Sequence, residues 1–566
     1  MFFLFWLVAI YVASSFAWPW FASIALLGTA IFAFLIRRHG FYHRRKTVLD
    51  QLVRINREEE DAMEWNFAGL DDGKEYMRQE HLFAHDLDIF GRGGLFQYIN
   101  RTSTLSGKKC LAESLSHIEK DKAEIEMRQQ AIIDLGHRLD WRQDFRVVGL
   151  QAGESAEDAD GLNRWIESPF DFSNNIYRLL VIVVPMLNLG VFILSMMNII
   201  SFWHFLAYLT LPLIISGMKY RKVNLKHSML SRKYPLLKKY AALFRMIETA
   251  EFSSARMQEN QKNLFTGNTS ASKAIHSLAR ISNAFDTRLN LLAGFLMNVF
   301  FLWDIRQSIR LENWQKKYRD HMLQWFNVMG EADATVSLAG FHYNNPDYIF
   351  PEILSADALT LEGKALGHPL IHARKRVCND YNVPGWSHFT ILTGANMAGK
   401  STFLRTVGVN MLLASCGAPV CANKMVLTPV DIVTSIHTID SLANNESYFY
   451  AELKRLQMII NMLKEGKQVF IILDEILKGT NSGDKQSGSK ALVKQLISLK
   501  AAGIIATHDL SLGTLIKNFP ENIRNKCFEV DIDRDRLDYD YLLKDGIAQN
   551  MNATILMERM GITVSP

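Results

Sequence analysis

The octapeptide Gly394-Ala395-Asn396-Met397-Ala398-Gly399-Lys400-Ser401 constrains this chain more than any other stretch. It reads G-x-x-x-x-G-K-S. The apolar run Phe389-Thr390-Ile391-Leu392 precedes it, and Phe403, Leu404 and Val407 follow at helical spacing. Strand, glycine turn and helix in that order are the setting of a phosphate-binding loop. There the backbone N–H groups of residues 396–401 would curl around a β-phosphate at the positive end of the helix. Gly394 and Gly399 allow the close backbone approach. Lys400 would neutralise β/γ oxygens and the Ser401 hydroxyl would hold Mg²⁺, with Thr402 beside it. ATP and Mg²⁺ are the expected ligands.

Downstream, the five apolar residues Val469-Phe470-Ile471-Ile472-Leu473 end in Asp474-Glu475, as a buried parallel strand reads. At its tip Asp474 is expected in the Mg²⁺ shell, and Glu475 as the group that orients and deprotonates the attacking water. A further strand, Gly503 to Thr507, delivers His508 to the same sheet edge, the place from which a histidine senses the γ-phosphate in ATPases of the ABC class. The polar loop Gly479 to Asp484 suits contact with a second subunit. Val377-Cys378-Asn379-Asp380 lies in a plausible place for an adenine pocket, with no atoms assigned.

At 566 residues the chain is too long for one core. Met1 to Ile36 holds no charged residue, and Leu179 to Met218 holds none beyond a possible charge on His204. Water-soluble helices carry a polar face, so bilayer is the expected environment of both blocks. The first block should turn at Trp18-Pro19-Trp20 and the second near Asn198 to Ser201. Basic clusters follow each, Arg37-Arg38…Arg44-Arg45-Lys46 and Lys219-Tyr220-Arg221-Lys222, which places both exits in the cytoplasm. A rival reading makes residues 1–17 a cleaved signal with Ser15-Phe16-Ala17 at the cut. A third apolar run, Leu291 to Trp303, is too short to span and is expected as a buried helix. The five cysteines show no C-x-x-C and fit a reduced cytosolic compartment. The net charge of +5 does not by itself call for nucleic acid.

The expected organisation is a transmembrane hairpin (1–36), a cytoplasmic helical linker (37–90), a helical core (91–178), a second transmembrane hairpin (179–218), a second helical part of core and levers (219–340) and an α/β P-loop ATPase domain (341–566). Leu236, Leu237, Leu243 and Ile247 show the helical period in the last helical part.

The motifs carry a resemblance. Thr393-Gly394-Ala395-Asn396-Met397-Ala398-Gly399-Lys400-Ser401-Thr402 resembles the P-loop of the MutS family of DNA mismatch-repair ATPases, T-G-P-N-M-G-G-K-S-T. Asp474-Glu475…Gly479-Thr480-Asn481-Ser482 resembles its D-E-x-x-x-G-T-S-T, and Ala506-Thr507-His508 its A-T-H. Asp440-Ser441-Leu442…Ser447-Tyr448-Phe449…Glu452 resembles its D-D-L…S-T-F-x-x-E. Leu95 to Thr104 is similar to the opening of the family's helical core. The resemblance implies an ABC-type ATPase domain beside an all-α core and lever domain, a homodimer through the ATPase domains, and Ser447 reaching the partner's γ-phosphate in trans. It implies duplex or structured DNA as a partner. Ala395 and Ala398 stand where the family has proline and glycine, and Tyr448 where it has threonine. No mismatch-reading segment is recognisable ahead of the core, so mismatch recognition is not carried over. The expectation is a membrane-tethered, multi-pass ATPase of the cytoplasmic membrane. The alternatives are an ATP-switched membrane scaffold without DNA binding, and a transporter of the ABC type. Against the transporter, no L-S-G-G-Q occurs between Lys400 and Val469.

Overall fold

The structure, a computed structural model, describes residues 2–13, 18–78, 80–355, 358–395, 397–436, 448–477, 481–533 and 536–549. It divides into two units, Met1–Asn66 and Phe67–Pro566.

In the first unit α1 (Phe2–Ala13) packs beside α2 (Trp18–Met63). Trp6 stacks on Phe32 with ring centroids 6.2 Å apart, and a Cβ at Gly28 would strike the Trp6 indole. Trp18-Pro19-Trp20, expected at the turn, opens α2 instead, because the first helical turn has no use for the N–H that proline lacks. Ser15-Phe16-Ala17 lies outside the described residues. The helix does not stop at Ile36; it runs unbroken to Met63.

The second unit begins with a correction. Residues 37–90 were expected as a helical linker; α2 supplies the helix as far as Met63, but 67–94 are turns with one short 3-10 segment, laid on the α/β part of the chain. Phe83, Ala84, Leu87, Ile89 and Phe90 are buried within these turns. Thirteen helices and a small hairpin follow. They are α3 (Leu95–Ile99), α4 (Leu105–Ser114), α5 (Lys122–Gly136), α6 (Leu139–Leu150), α7 (Ala156–Glu167), α8 (Asn175–Met196), α9 (Phe202–Tyr208), α10 (Thr210–Gly217), α11 (Tyr220–Leu230), α12 (Tyr234–Thr249), α13 (Ala255–Asn263), the hairpin β1 (Phe265–Thr266) and β2 (Thr269–Ser270), α14 (Ala271–Phe285) and α15 (Leu291–Phe301). The 42-residue α16 (Trp303–Asn344) closes this part. Leu311, Gln315, Tyr318, Met322, Trp325, Met329, Ala332, Val336 and Ala339 are buried along it, alternating steps of four and three that form one continuous stripe. The stripe packs on α4 and α5. Asp333, buried on α16, accepts bonds from the N–H and hydroxyl groups of both Ser103 and Thr104, which fixes the start of α4.

Ala22–Met63 and Asn175–Met196 are long and apolar enough to cross a membrane. The second apolar block reverses where expected: α8 ends at Met196, Asn198 takes a φ of 57°, and the Ser201 side chain caps α9. The third apolar run overturns its expectation. Leu291 to Phe301 is helical but not buried; Leu291, Leu292 and Phe295 are exposed beside α8 and α10. Leu302, at a φ of 47°, breaks the chain before α16. A buried ion pair anchors this cluster: Lys226 donates to Glu312 at 2.7 Å, and Glu312 accepts the N–H groups of Asp171 and Phe172 just ahead of α8.

The remainder is α/β. A four-stranded sheet has the order β3 (Glu352–Ile353), β7 (Lys424–Leu427), β4 (Leu361–Leu366), β5 (Asn379–Val383). A six-stranded sheet has the order β14 (Leu543–Asp545), β11 (Ile523–Phe528), β6 (Phe389–Gly394), β10 (Ala502–Thr507), β9 (Val469–Asp474), β8 (Asp431–Ser435). Its strands are parallel except β14. A hairpin, β12 (Asp531–Asp533) and β13 (Arg536–Asp538), lies between β11 and β14. Helices α17 (Lys400–Ser415), α18 (Tyr448–Lys464), α19 (Ser482–Ser498) and α20 (Leu510–Gly513) connect the strands. Phe389, Ile391, Ile471 and Leu473 join Leu456, Ile459, Val493 and Leu496 in one core. On the other face Gly408 of α17 lets Leu87 and Ile472 come close; a Cβ there would meet both near 3 Å.

Candidate nucleotide-binding site

Parallel pairing brings three strand ends together. β6 lies between β10 and β11, and β10 lies beside β9, so the residues that leave β6, β9 and β10 meet at one edge. Ligands of open parallel sheets bind at that carboxyl edge. The loop after β6 carries Gly394 at φ 156°, Met397 at 65° and Gly399 at 100°, and Gly399 is the N-cap of α17. Ala395 and Ala398 are buried, so the two alanines fit where the resemblance has proline and glycine. Asn396 lies outside the described residues.

The Lys400 ammonium donates to the carbonyls of Gly394 and Ala395, each at 2.8 Å, and lies 3.3 Å from Nε2 of His508. Ser401 Oγ donates to Asp474 Oδ2 at 2.5 Å. A hydroxyl and a carboxylate brought together at the phosphate end of a P-loop are the oxygen donors that Mg²⁺ takes. Thr402 lines the same cavity. Glu475 adopts a φ of 58° with its N–H on the Ala506 carbonyl, so a hydrogen bond across strands holds the strained residue. Its carboxylate meets Lys485 of α19 at 3.1 Å. Burial first, and the Lys400 charge second, push His508 below the ordinary imidazole range, against the pull of Glu475 and Asp474.

These groups line a cavity of about 510 Å³ together with His368, Val377, Asn379, Phe528 and Tyr541. Of the four residues considered for an adenine pocket, Val377 and Asn379 line it. Asp380 instead binds Lys364 and the Ala365 N–H at the surface. Tyr541 was not singled out by sequence. Its ring lies over Gly399, 3.0 Å from where a Cβ would stand. Asn379 clamps the Tyr541 segment by donating to the Tyr541 carbonyl and accepting from the Leu543 N–H. The available signal was the run Tyr539-Asp540-Tyr541, far from the other motifs in sequence.

Ser447, Asp440, Ser441, Leu442, Gly479 and Thr480 lie outside the described residues. Glu452 is placed: buried on α18, it accepts the Leu477 N–H at 2.5 Å and ties that helix to the acidic turn. Asn481 caps α19.

The strap ahead of the helical core reaches this site from behind. Asp86 Oδ2 accepts the Thr434 hydroxyl at 2.6 Å and the Ile436 N–H at 3.1 Å, and Ile436 lines the cavity. Arg405 of α17 donates to the Asp86 carbonyl, and Arg455 of α18 donates to the carbonyls of His81, Leu82 and Thr434.

Residues 390–561 match the family model for MutS domain V. The chain is 32 % identical over 240 residues to a DNA mismatch repair protein MutS of Thermotoga neapolitana, covering 41 % of this chain and 29 % of that protein. It is 34 % identical over 228 residues to the MutS of Aquifex pyrophilus, covering 39 % and 26 %. It is 32 % identical over 216 residues to the human MutS protein homolog 4, covering 36 % and 22 %. The chain thus spans less than a third of the length of these relatives.

Proposed function

Because the chain belongs to the MutS family, we propose that it binds and hydrolyses ATP at the Lys400 site and uses the cycle to engage a partner from the membrane. The convergence of Lys400, Ser401, Asp474, Glu475 and His508 on one cavity carries this reading. The N-terminal turn of α17 faces the phosphates, and Lys400 exchanges its two loop carbonyls for β/γ oxygens. Ser401 and Asp474 would hold Mg²⁺, which when bound draws charge from the phosphate oxygens. Glu475 accepts the proton of the attacking water, and its bond to Lys485 aims the carboxylate. Neutral His508 contacts the γ-phosphate without adding charge.

Two ATPase domains close on two nucleotides, with Ser447 completing the partner's site. Duplex or structured DNA is the proposed partner, on the strength of relatives named for DNA mismatch repair. The ATPase domain faces the cytoplasm. The apolar helices α1, α8, α9 and α10 and the first half of α2 anchor it in the cytoplasmic membrane, supported by their exposed leucine, isoleucine and phenylalanine side chains and by the basic residues that follow.

The test is ATP turnover and duplex binding by the purified full-length chain, with salt as the variable. DNA affinity should fall steeply as salt rises, because bound phosphates release counterions. Turnover without duplex binding at any salt would leave an ATP-switched scaffold. Equal turnover by Glu475→Gln would remove the catalytic assignment.

A further inference from the structure

The helix Leu291–Phe301 has its polarity turned inside out. Leu291, Leu292 and Phe295 face outward, 88, 71 and 54 % exposed. Asn298, the one polar side chain of its sequence, turns inward. It contacts the Ser216 hydroxyl at 3.2 Å, donates to the Gly294 carbonyl and accepts the Asp304 N–H. A helix facing water shows the opposite arrangement. Its neighbour α8 obeys the same inverted rule: Ile182, Met186, Leu189 and Ile193 are exposed, and Asn188 is 3 % exposed.

Asn188 explains the end of α15. Its amide donates to the Val299 carbonyl at 3.1 Å and the Phe300 carbonyl at 2.9 Å. The last carbonyls of a helix have no partner within it. Water satisfies them at a protein surface, whereas in hydrocarbon only protein groups do. Asn188 lies ten residues beyond Arg178, the last charge before the apolar stretch of α8. That is about 15 Å of helix, half of a hydrocarbon layer of roughly 30 Å. Lys219 stands 5.7 Å over the ring of Tyr177, so the exit of α10 is level with the entry of α8. Arg221, exposed at that level, matches anionic headgroups, while Lys222 beside it pairs with Asp171.

We propose that α15 is a membrane-embedded element: it enters the bilayer beside α8 and α10, ends within the bilayer against Asn188, and returns through α16 to the side it came from. Its ligand is the acyl region of a phospholipid bilayer. Arg288 and Asp304, which flank it, are paired at 3.4 Å, and the exposed Arg306 and Arg310 at the start of α16 extend along it toward the headgroups. The inference rests on the membrane reading above, extending it to a helix too short to span.

Spin labels on single cysteines test it. Leu292→Cys, Phe295→Cys and, as the α8 reference, Ile182→Cys are made in the full chain with its five native cysteines changed to serine. Each is reconstituted in phosphatidylcholine–phosphatidylglycerol vesicles. Labels at 292 and 295 should collide severalfold more with oxygen than with a water-soluble nickel chelate, as the label at 182 does. A label at 295 that favours nickel while 182 favours oxygen overturns the α15 assignment and leaves the membrane reading intact. Nickel preference at both sites overturns the membrane reading as well. Shielding of 295 from both reagents means that protein covers α15, and the proposal fails. Should the cysteine-free chain not fold, a photoactivatable phospholipid crosslinked to the wild-type chain should label residues 289–303; their absence from the labelled peptides is the negative result.

Discussion

The ammonium of Lys400 and Nε2 of His508 stand 3.3 Å apart, so a permanent cation and a titratable ring share one corner of the cavity. Two charges there would repel, and burial penalises the second one further. His508 is therefore neutral at pH 7 and titrates below its ordinary value of about 6.5. With the folded value depressed, the unfolded chain takes the proton first, so this group removes stability as pH falls through about 6.5. Turnover should be flat between pH 7 and 8 and fall only on the acid side, a limb that His508→Gln lacks. A histidine NMR titration placing the ring at or above 6.5 contradicts this.

Tyr541 should set nucleotide affinity. Its ring bounds the cavity above Gly399, where a base can lie against it. Replacement by alanine should weaken ATP binding by about 1–2 kcal/mol, the scale of one base–aromatic stack, roughly 5- to 30-fold in Kd. Replacement by phenylalanine should leave affinity near wild type. Calorimetric titration of both variants decides it.

Asp86→Ala leaves the Thr434 hydroxyl and the Ile436 N–H without their carboxylate. The Ile436 N–H is then a buried orphan, at a cost of about 1–3 kcal/mol, while the Thr434 hydroxyl keeps the Leu82 carbonyl at 3.3 Å. The variant should melt earlier and show a lower kcat/KM for ATP, although Asp86 lies outside the nucleotide cavity. Unchanged kcat/KM in a variant of lowered melting temperature would confine the strap to a stabilising role.

Lys226→Met strands Glu312 as a buried lone charge, at a cost of about 3–5 kcal/mol. The double variant Lys226→Met, Glu312→Leu should recover part of that, limited by the Asp171 and Phe172 N–H groups that lose their acceptor. Thermal unfolding of the detergent-solubilised chain reads the order: wild type, double variant, single variant.

The legible parts of this molecule are those whose chemistry requires neighbours in sequence. A phosphate cradle is eight consecutive residues, and an acidic pair or a histidine follows its own strand directly, so the meeting of Lys400, Asp474, Glu475 and His508 at one sheet edge is legible in the sequence. Contacts between distant segments left no such trace. The strap at Asp86 reaches residues some 350 positions away, and it reads as an ordinary polar linker. Tyr541 joins the cavity because β14 pairs with β11 and Asn379 holds the segment from β5. The run at Leu291 misled because its length excludes a span but says nothing of which face its neighbours cover. Asn188, the residue that decides that question, sits more than a hundred positions earlier.

α16 is one uninterrupted helix from Trp303 to Asn344, about 63 Å of backbone. Its first turns stand among the apolar helices and its last residues lead into the α/β fold. A rod hydrogen-bonded throughout bends more readily than it stretches. The spacing between Asp304 and Phe341 is thus a fixed length, and a displacement among the apolar helices must appear as pivoting beside the α/β sheets rather than being absorbed along the way.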